Sequence, residues 1–217
     1  MEGVVDYRQN KPLGHHTLSF ILWEVYLRIS AGDLKGRRIG SKKSLGLVTK
    51  HGVLRPTSSK VRESIFNILG GVIEGSMFVD LYAGTGAVGM EAMSRGAEKV
   101  FFVEADKKRA EQIEKTLGKC ECSSRANIIR QKASDFIRQA QEDSLRFDII
   151  FLDPPYYSGE LEDILSVLAD AGIVQDGGIV IAEHLSKKRL PEGIGSLRQK
   201  KAYKYGDSML TLFRKEQ

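Results

Sequence analysis

Five short apolar runs alternate with amphipathic stretches between residues 77 and 182, and this alternation limits the fold more than any other feature. The apolar runs predict buried strands, and apolar residues that recur every three or four positions predict helices. Because strands that alternate with helices form a parallel sheet covered on both faces, we expect an open α/β domain. The predicted strands are 77–82, 99–104, 127–131, 147–152 and 178–182, and the predicted helices are 87–95, 107–117, 134–142 and 160–171.

The chain continues past the last of these helices with two strands and no helix between them. Residues 197–204 and 208–214 have the apolar content of strands, and the short gap between them suits a hairpin. We therefore expect a seven-stranded, mostly parallel sheet with an antiparallel edge strand.

One more helix is predicted within residues 54–71. Thr57 or Ser58 can cap its start through a side-chain oxygen, and Gly70 can end it. Its apolar residues share one face, so we expect Lys60 and Arg62 to face solvent.

Positive charge is concentrated around the start of that helix. The segment from Arg28 to Arg62 holds ten basic residues and one acid, Asp33, and this excess of nine is larger than the net charge of +5 for the whole chain. Such a block favours a polyanionic partner, RNA or DNA, although a solvated flexible arm would also account for it. The basic residues are Arg28, Lys35, Arg37, Arg38, Lys42, Lys43, Lys50, Arg55, Lys60 and Arg62.

The chain divides into three parts. Residues 1–26 form an N-terminal extension, residues 27–53 a basic element, and residues 54–217 the main domain. Within the basic element, LRISAGDLKGRRI (27–39) predicts a hairpin around a Gly-Asp turn, and residues 40–52 predict a loop with room for a short strand. The apolar run at 18–27 contains Glu24 and is too short to span a bilayer, so we expect no membrane segment.

Cysteine and histidine show no metal-site pattern. Cys120 and Cys122 are too close together to bridge easily, and no second pair completes a zinc site, so we expect free thiols in a reducing cytoplasm. The four histidines lack metal-ligand spacing, and we expect no metal. His184, at the end of a predicted strand, either touches the substrate or is an ordinary strand-end residue.

The stretch FVDLYAGTGAVG (78–89) predicts a strand, a glycine turn and a helix. Gly84 and Gly86 allow close approach of a ligand, and with Gly89 they match the dinucleotide pattern G-x-G-x-x-G. That pattern alone also fits a hydride-transfer enzyme. Asp80 argues against it, because a carboxylate here would repel a pyrophosphate and would instead suit a positively charged group, such as the ammonium of S-adenosylmethionine.

Two more acids follow the next two predicted strands. Glu104 lies 18 residues past Gly86, where an acid can hold ribose hydroxyls. Asp135, next to Ser134, can accept a hydrogen bond from an adenine amino group. Because ligands of open α/β sheets bind at the carboxyl ends of the strands, we expect these acids to surround a nucleoside cofactor together with Asp80.

The stretch FDIIFLDPPYYSGE (147–160) ends a buried strand abruptly at Asp153. Pro154 and Pro155 fix φ and lack N–H donors, so the chain leaves the sheet in a stiff, extended form. The Asp153 carboxylate and the Pro154 carbonyl then become two fixed acceptors next to the ring of Tyr156. Two acceptors and a stacking ring suit the exocyclic NH2 group of a flipped or unpaired base.

An aromatic amine needs such acceptors because its lone pair is delocalised into the ring. Hydrogen bonds from the NH2 group to both acceptors favour a pyramidal nitrogen whose lone pair is aimed at a methyl–sulfonium carbon. Positioning and electrostatics then supply most of the rate, since the cofactor carries the reactive group.

The order DLYAGTG followed by DPPY resembles the S-adenosylmethionine-dependent amino-methyltransferases, which methylate adenine, cytosine or guanine amines. The segments RISAGDLKGRRI, LRPTSSKVRESIFNIL and DLYAGTGAVGMEAMSRGA resemble the bacterial RsmD family, which methylates guanine N2 in small-subunit ribosomal RNA. This resemblance, from about Leu27 to the end, implies a Rossmann-like class I methyltransferase fold and S-adenosyl-L-methionine as cofactor. It also implies ribosomal RNA as partner, within a small subunit or an assembly intermediate, with guanine 966 as the family target.

The resemblance assigns three sets of residues. The guanine would be held by Asp153, Pro154 and Tyr156. The cofactor would be bound by Asp80, Tyr82, Gly84, Gly86, Glu104, Ala105, Ser134 and Asp135. The RNA would be contacted by Lys35, Arg37, Arg38, Arg55 and Thr57.

The chain departs from the family pattern at two places. Family members often carry Phe where this chain has Tyr156, and either ring can stack on a base. They generally lack residues 1–26. Either translation starts at Leu27, from a UUG codon, or the extra segment is a helix that packs on the domain.

Three functions follow from these features. The first is a guanine-N2 ribosomal RNA methyltransferase. The second is an adenine-N6 methyltransferase for DNA or RNA, which shares D-P-P-Y but usually brings a target-recognition insertion that this chain lacks. The third is a non-catalytic RNA-binding or assembly factor, against which Asp80, Glu104 and Asp153 argue.

Overall fold

The computed structural model describes residues 27–39, 48–49, 52–53, 58–156 and 159–216 of the 217-residue chain. The predictions for residues 1–26 and most of those for the loop at 40–52 lie outside the described residues. So do the roles expected for Arg55 and Thr57.

Twelve strands and five α-helices account for most of the described chain, and short 3-10 helices lie at Gly70–Ile73 and Ser123–Arg125. The strands are β1 (Leu27–Arg28), β2 (Arg38–Ile39), β3 (Val48–Thr49), β4 (Gly52–Val53), β5 (Met77–Asp80), β6 (Lys99–Val103), β7 (Ala126–Ile129), β8 (Phe147–Leu152), β9 (Val174–Leu185), β10 (Gly193–Ile194), β11 (Leu197–Tyr205) and β12 (Ser208–Lys215). The helices are α1 (Ser59–Leu69), α2 (Ala87–Ser94), α3 (Lys107–Cys120), α4 (Ala133–Glu142) and α5 (Glu160–Ala171).

One sheet organises the domain, with the strand order β10-β11-β12-β9-β8-β5-β6-β7 in the described part of the chain. Strands β7, β6, β5, β8 and β9 are parallel, as the alternating pattern predicted. The predicted Rossmann-like α/β fold is confirmed. Within the described residues the sheet has eight strands, because the two-residue β10 adds to the seven that were predicted.

The tail of the chain was predicted to form an antiparallel edge of the sheet, and β10, β11 and β12 do so. β12 pairs antiparallel with β9 on one side and with β11 on the other, so β11 and the short β10 lie between it and the edge. The β11–β12 hairpin turns back towards the parallel strands, which brings its second strand, rather than its first, against β9.

The two faces of the sheet bury different residues because side chains alternate along each strand. Phe78 and Phe151 pack with α1, α2 and α3, whereas Val79 and Leu152 pack with α4 and α5. Gly89 lets α2 approach the sheet closely, since a Cβ atom at this position would lie 2.3 Å from Cε1 of the Phe102 ring.

The predicted hairpin at 27–39 is present, with β1 and β2 paired antiparallel. Ile29, Leu34 and Ile39 are buried in the same core cluster as α1 and α2. The hairpin is therefore packed against the α/β domain.

Arg62 was predicted to face solvent, and the structure contradicts this. Only 2% of its surface is exposed, and its Nη2 donates to the backbone oxygen of Arg28 at 2.6 Å. The apolar pattern of α1 does not reveal this burial, because the hairpin that covers Arg62 comes from elsewhere in the sequence. Ser58 caps the helix as expected, its hydroxyl accepting a hydrogen bond from Val61 N.

Among the described residues, no helix has both the length and the apolar content needed to cross a bilayer.

Candidate active site

Four acidic residues lie at the carboxyl edge of the parallel strands. Asp80 ends β5, Glu104 directly follows β6, and Asp153 directly follows β8. Glu183 lies near the end of β9. In the sheet these strands are neighbours in the order β9-β8-β5-β6, so acids from distant parts of the sequence share one edge.

Asp80 is the most deeply buried of the four, with 1% of its surface exposed. Its Oδ2 accepts a hydrogen bond from the backbone N–H of Gly89 at 3.0 Å. The pKa of Asp80 is raised to about 7, chiefly by burial; the Gly89 hydrogen bond opposes this effect, and the nearby Glu104 carboxylate adds to it. A carboxylate in this state gains most from a positively charged ligand, which would favour its ionised form.

The glycine turn between β5 and α2 takes the backbone shape that its sequence predicts. Gly84 and Gly86 have φ values of 53° and 75°, a region that residues with a Cβ atom rarely adopt. A Cβ atom on Gly86 would also lie 3.1 Å from side-chain atoms of Ile113 and Met90. The turn therefore requires glycine on two grounds, backbone shape and packing.

Glu104 joins this turn to the next strand. Its Oε2 accepts from the N–H of Gly84 at 2.8 Å, and its Oε1 accepts from the N–H of Asp106 at 2.8 Å. Burial raises the pKa of Glu104, an effect that these hydrogen bonds and Arg109, with Nη1 3.8 Å from Oε1, reduce. One carboxylate thus fixes the turn that a ribose would have to approach.

The other predicted cofactor residues are more exposed to solvent than Asp80 and Glu104. Tyr82 donates its hydroxyl to Glu160 Oε1 at 2.8 Å, and its pKa is raised chiefly by burial. Ala105 and Ser134 are exposed. Asp135, in the first turn of α4, accepts from Arg138 Nη2 at 3.0 Å. An acid in the first turn of a helix is stabilised there by the helix dipole.

Asp153, Pro154 and Tyr156 follow β8 in the order that the motif predicts. Asp153 is partly exposed and Pro154 is buried. The Tyr156 hydroxyl donates to Glu183 Oε1 at 3.2 Å and lies 3.3 Å from Ser208 Oγ. Burial raises the Tyr156 pKa, and the carboxylates of Glu183 and Asp153 raise it further, so both charges lie close to this hydroxyl.

A small pocket opens beside this motif. Its lining includes Pro154, Tyr156, Leu161, Glu183, His184 and Lys188.

Glu183 and Ser208 were not predicted as site residues. No motif marks them, and the available signal was the position of Glu183 at the carboxyl end of the last parallel strand. The contact of Tyr156 with Ser208 depends on the pairing of β12 with β9, which the sequence pattern did not reveal.

His184 lines the pocket, but its ring is held by the protein. Nε2 lies 2.8 Å from Thr211 Oγ1, and Nδ1 lies 2.9 Å from the backbone oxygen of Leu185. Burial lowers the His184 pKa, which favours the neutral ring. These contacts favour the strand-end interpretation over contact with a substrate.

Lys35, Arg37 and Arg38 are exposed on the hairpin and lie apart from the acidic edge. The hairpin contacts α2 at Glu91 and Ser94. Both residues lie in the second half of this eight-residue helix, away from its Gly86 cap, and the whole helix is about 12 Å long. Among the described residues, no three His, Cys, Asp or Glu side chains form a metal-binding group.

Comparison with known proteins gives one family and several relatives. The model of the family described as conserved hypothetical protein 95 matches residues 27–214. The chain is 37% identical to the ribosomal RNA small subunit methyltransferase D of Haemophilus influenzae, over 80% of this chain and 88% of that protein. It is 34% identical to the putative rRNA methyltransferase YlbH of Bacillus subtilis, over 87% of this chain and 99% of that protein.

A solved structure supports the same relationship. The putative methyltransferase yhhF from Escherichia coli superposes with a TM-score of 0.73 at 27% identity. The match covers 88% of this chain and 98% of that one.

Proposed function

Because the chain belongs to the conserved hypothetical protein 95 family, the family of the ribosomal RNA small subunit methyltransferase D proteins, we propose that it methylates the N2 amine of a guanine in 16S ribosomal RNA, using S-adenosylmethionine. The names of the relatives support methylation of ribosomal RNA. The choice of guanine N2, with guanine 966 as the family target, rests on the resemblance of the motifs.

The observation that carries this proposal is that the predicted cofactor residues and the predicted target-base residues lie at the ends of neighbouring strands. Asp80 ends β5 and Asp153 follows β8, and these strands are paired in parallel with Asp80 opposite Phe151. A cofactor over the glycine turn and a base against Asp153 would therefore lie side by side.

The residues at β5 and β6 fit S-adenosylmethionine. The buried Asp80 carboxylate suits its positive charge, and the turn held by Glu104 can approach its ribose closely. When bound, this cofactor supplies a methyl group on a positively charged sulfur.

At β8, the Asp153 carboxylate and the Pro154 carbonyl oxygen accept hydrogen bonds from the guanine N2 amine, and the Tyr156 ring stacks on the base. Transfer of the methyl group would form an N–CH3 bond as the S–CH3 bond breaks, and the nitrogen would lose one proton. In this proposal the Asp153 carboxylate would accept that proton.

The proposed function is tested by methyl transfer from labelled S-adenosylmethionine to 16S ribosomal RNA and to partly assembled small subunits, followed by digestion to nucleosides. We expect the label in N2-methylguanosine. Label in N6-methyladenosine would instead support the second function, an adenine-N6 methyltransferase. If neither substrate is labelled although the cofactor binds, the result would favour the third function, a non-catalytic RNA-binding or assembly factor.

We predict that the affinity for S-adenosylmethionine depends on the ionisation of Asp80. The cation favours the ionised carboxylate, so the Asp80 pKa falls from about 7 on binding, and the affinity is lost as the pH decreases below 7. Between pH 8 and pH 6 the dissociation constant should rise by up to about tenfold.

Calorimetry with wild type and Asp80→Asn checks this dependence. The ligand's own titration is common to both proteins, so the difference between their pH profiles isolates Asp80. Parallel profiles would show that Asp80 does not interact with the cation.

We predict that the basic hairpin contributes phosphate contacts. Replacing Lys35 and Arg37 by alanine should raise KM for RNA and lower the slope of log affinity against log salt by about 1.5, since two contacts are lost. The dissociation constant for S-adenosylmethionine should not change. The matched control removes two exposed arginines outside the hairpin, Arg146 before β8 and Arg214 near the end of β12. An equal salt slope in both double variants would contradict the assignment.

A further inference from the structure

Glu183 is a buried acid in the candidate site to which the proposed mechanism gives no role. Only 3% of its surface is exposed, and it lies on the last parallel strand, β9. Burying a carboxylate is costly, so its position beside the target-base motif calls for a function.

Glu183 and Asp153 are side by side. Leu152 of β8 is opposite Ala182 of β9 in a parallel pair, and Asp153 and Glu183 are the next residue on each strand. The Tyr156 hydroxyl donates to Glu183 Oε1. Pro154, Tyr156 and Glu183 also line the same pocket. A base that stacks on Tyr156 and reaches Asp153 with its amine therefore meets a second carboxylate.

We propose that Glu183 selects guanine, by accepting a hydrogen bond from N1–H of the base whose N2 amine is held by Asp153 and the Pro154 carbonyl. The inference rests on the proposed function and adds the basis of its base specificity.

The chemistry of the base edges supports this assignment. Guanine presents N1–H and the N2 amine next to each other. Both groups are donors, and both would face acceptors, Glu183 for N1–H and Asp153 with the Pro154 carbonyl for the amine. Adenine places the acceptor N1 beside its amine, and cytosine places the acceptor N3 there. A carboxylate facing either lone pair is repelled and loses a hydrogen bond, and this rejects the wrong base more strongly than a difference in shape can.

The test compares guanine with 2-aminopurine, which keeps the amine at carbon 2 but has an acceptor at N1. Small subunits are reconstituted with 16S ribosomal RNA carrying either base at the methylated position, and kcat/KM is measured for each. Wild type should prefer guanine by about 100-fold or more. Glu183→Gln should reduce this ratio by about tenfold or more, mainly through loss of activity on guanine.

Two controls separate selection from support of the Tyr156 ring. Tyr156→Phe removes the hydroxyl that bonds to Glu183 and keeps the carboxylate, so it should preserve the guanine preference whatever its effect on kcat. Glu114→Gln makes the same chemical change at an exposed position on α3 and should alter neither rate nor ratio. Should Glu183→Gln lose its fold, Glu183→Asp, which withdraws the carboxylate by one methylene, replaces it.

A guanine preference that is unchanged in the Glu183 variants overturns the inference, even if N2-methylguanosine is formed. The same applies if Tyr156→Phe reduces the preference as much as Glu183→Gln, because Glu183 would then act through the ring. Failure of wild type to form N2-methylguanosine overturns the proposed function itself, and the inference with it.

Discussion

Replacing Asp153 by alanine is expected to lower kcat by about a thousandfold while the dissociation constant for S-adenosylmethionine stays within about twofold of wild type. Asp153 follows β8, whereas the proposed cofactor contacts follow β5 and β6. The substitution removes the acceptor that orients the amine, and it leaves the buried Asp80 and the turn held by Glu104 intact.

Single-turnover methylation at saturating RNA and calorimetry of cofactor binding measure the two effects of Asp153→Ala separately. Asp153→Asn keeps the size of the side chain but turns an N–H donor towards the amine, so it should be nearly as slow. Asp143→Asn, at the exposed end of α4, is the matched control and should retain full activity. Parallel loss of turnover and cofactor binding would instead indicate that Asp153 supports the fold.

The second large effect is expected at Glu91, whose replacement by alanine should lower the free energy of unfolding by about 3–5 kcal/mol. Glu91 has no exposed surface and accepts hydrogen bonds from the backbone N–H groups of Ser30 and Ala31, at 2.8 and 3.1 Å. Its Oε2 also lies 3.6 Å from Nε of the buried Arg62. Without Glu91, the Arg62 charge would be buried without its acid, and the hairpin would lose its main polar contact with α2.

Urea unfolding measures this loss. Ser30→Ala removes the 2.6 Å hydrogen bond from its hydroxyl to Glu91 and the 3.3 Å one that the hydroxyl accepts from Arg95 Nη2, and it should cost about 1 kcal/mol. Glu91→Gln keeps one of the two acceptor oxygens that the hairpin uses and should be intermediate. Glu114→Ala, at an exposed position on α3, should change stability by no more than about 0.5 kcal/mol. A Glu91→Ala variant as stable as Glu114→Ala would contradict the role of this carboxylate.

Most of the sheet could be predicted because its signals are local. For the strand at 147–152 and the helix at 160–171, the predicted first and last residues are the same as in the structure. Strand β9 begins at Val174 and ends at Leu185, beyond the predicted 178–182, because its polar and glycine residues carry no apolar signal although the backbone continues to pair.

The candidate site was predictable to the extent that it follows motifs. Gly84 and Gly86 require a turn that L residues rarely adopt, and the two prolines after Asp153 require an extended exit from the sheet, so the sequence alone indicated both places. The roles proposed for these residues remain predictions for the experiments above. Glu183 has no such local signal, because its relation to Tyr156 arises only when β8 and β9 pair.

The amino-acid sequence by itself determined the alternation of strands and helices, the glycine turn and the stiff segment after β8, since each depends on residues a few positions apart. The tertiary structure alone decided that β12 enters the sheet beside β9, that Arg62 is buried against Glu91, and that Glu183 meets Tyr156. Their common physical reason is that pairing and burial depend on segments that are remote in sequence. A charged residue shows its burial only once the segment that covers it is in place.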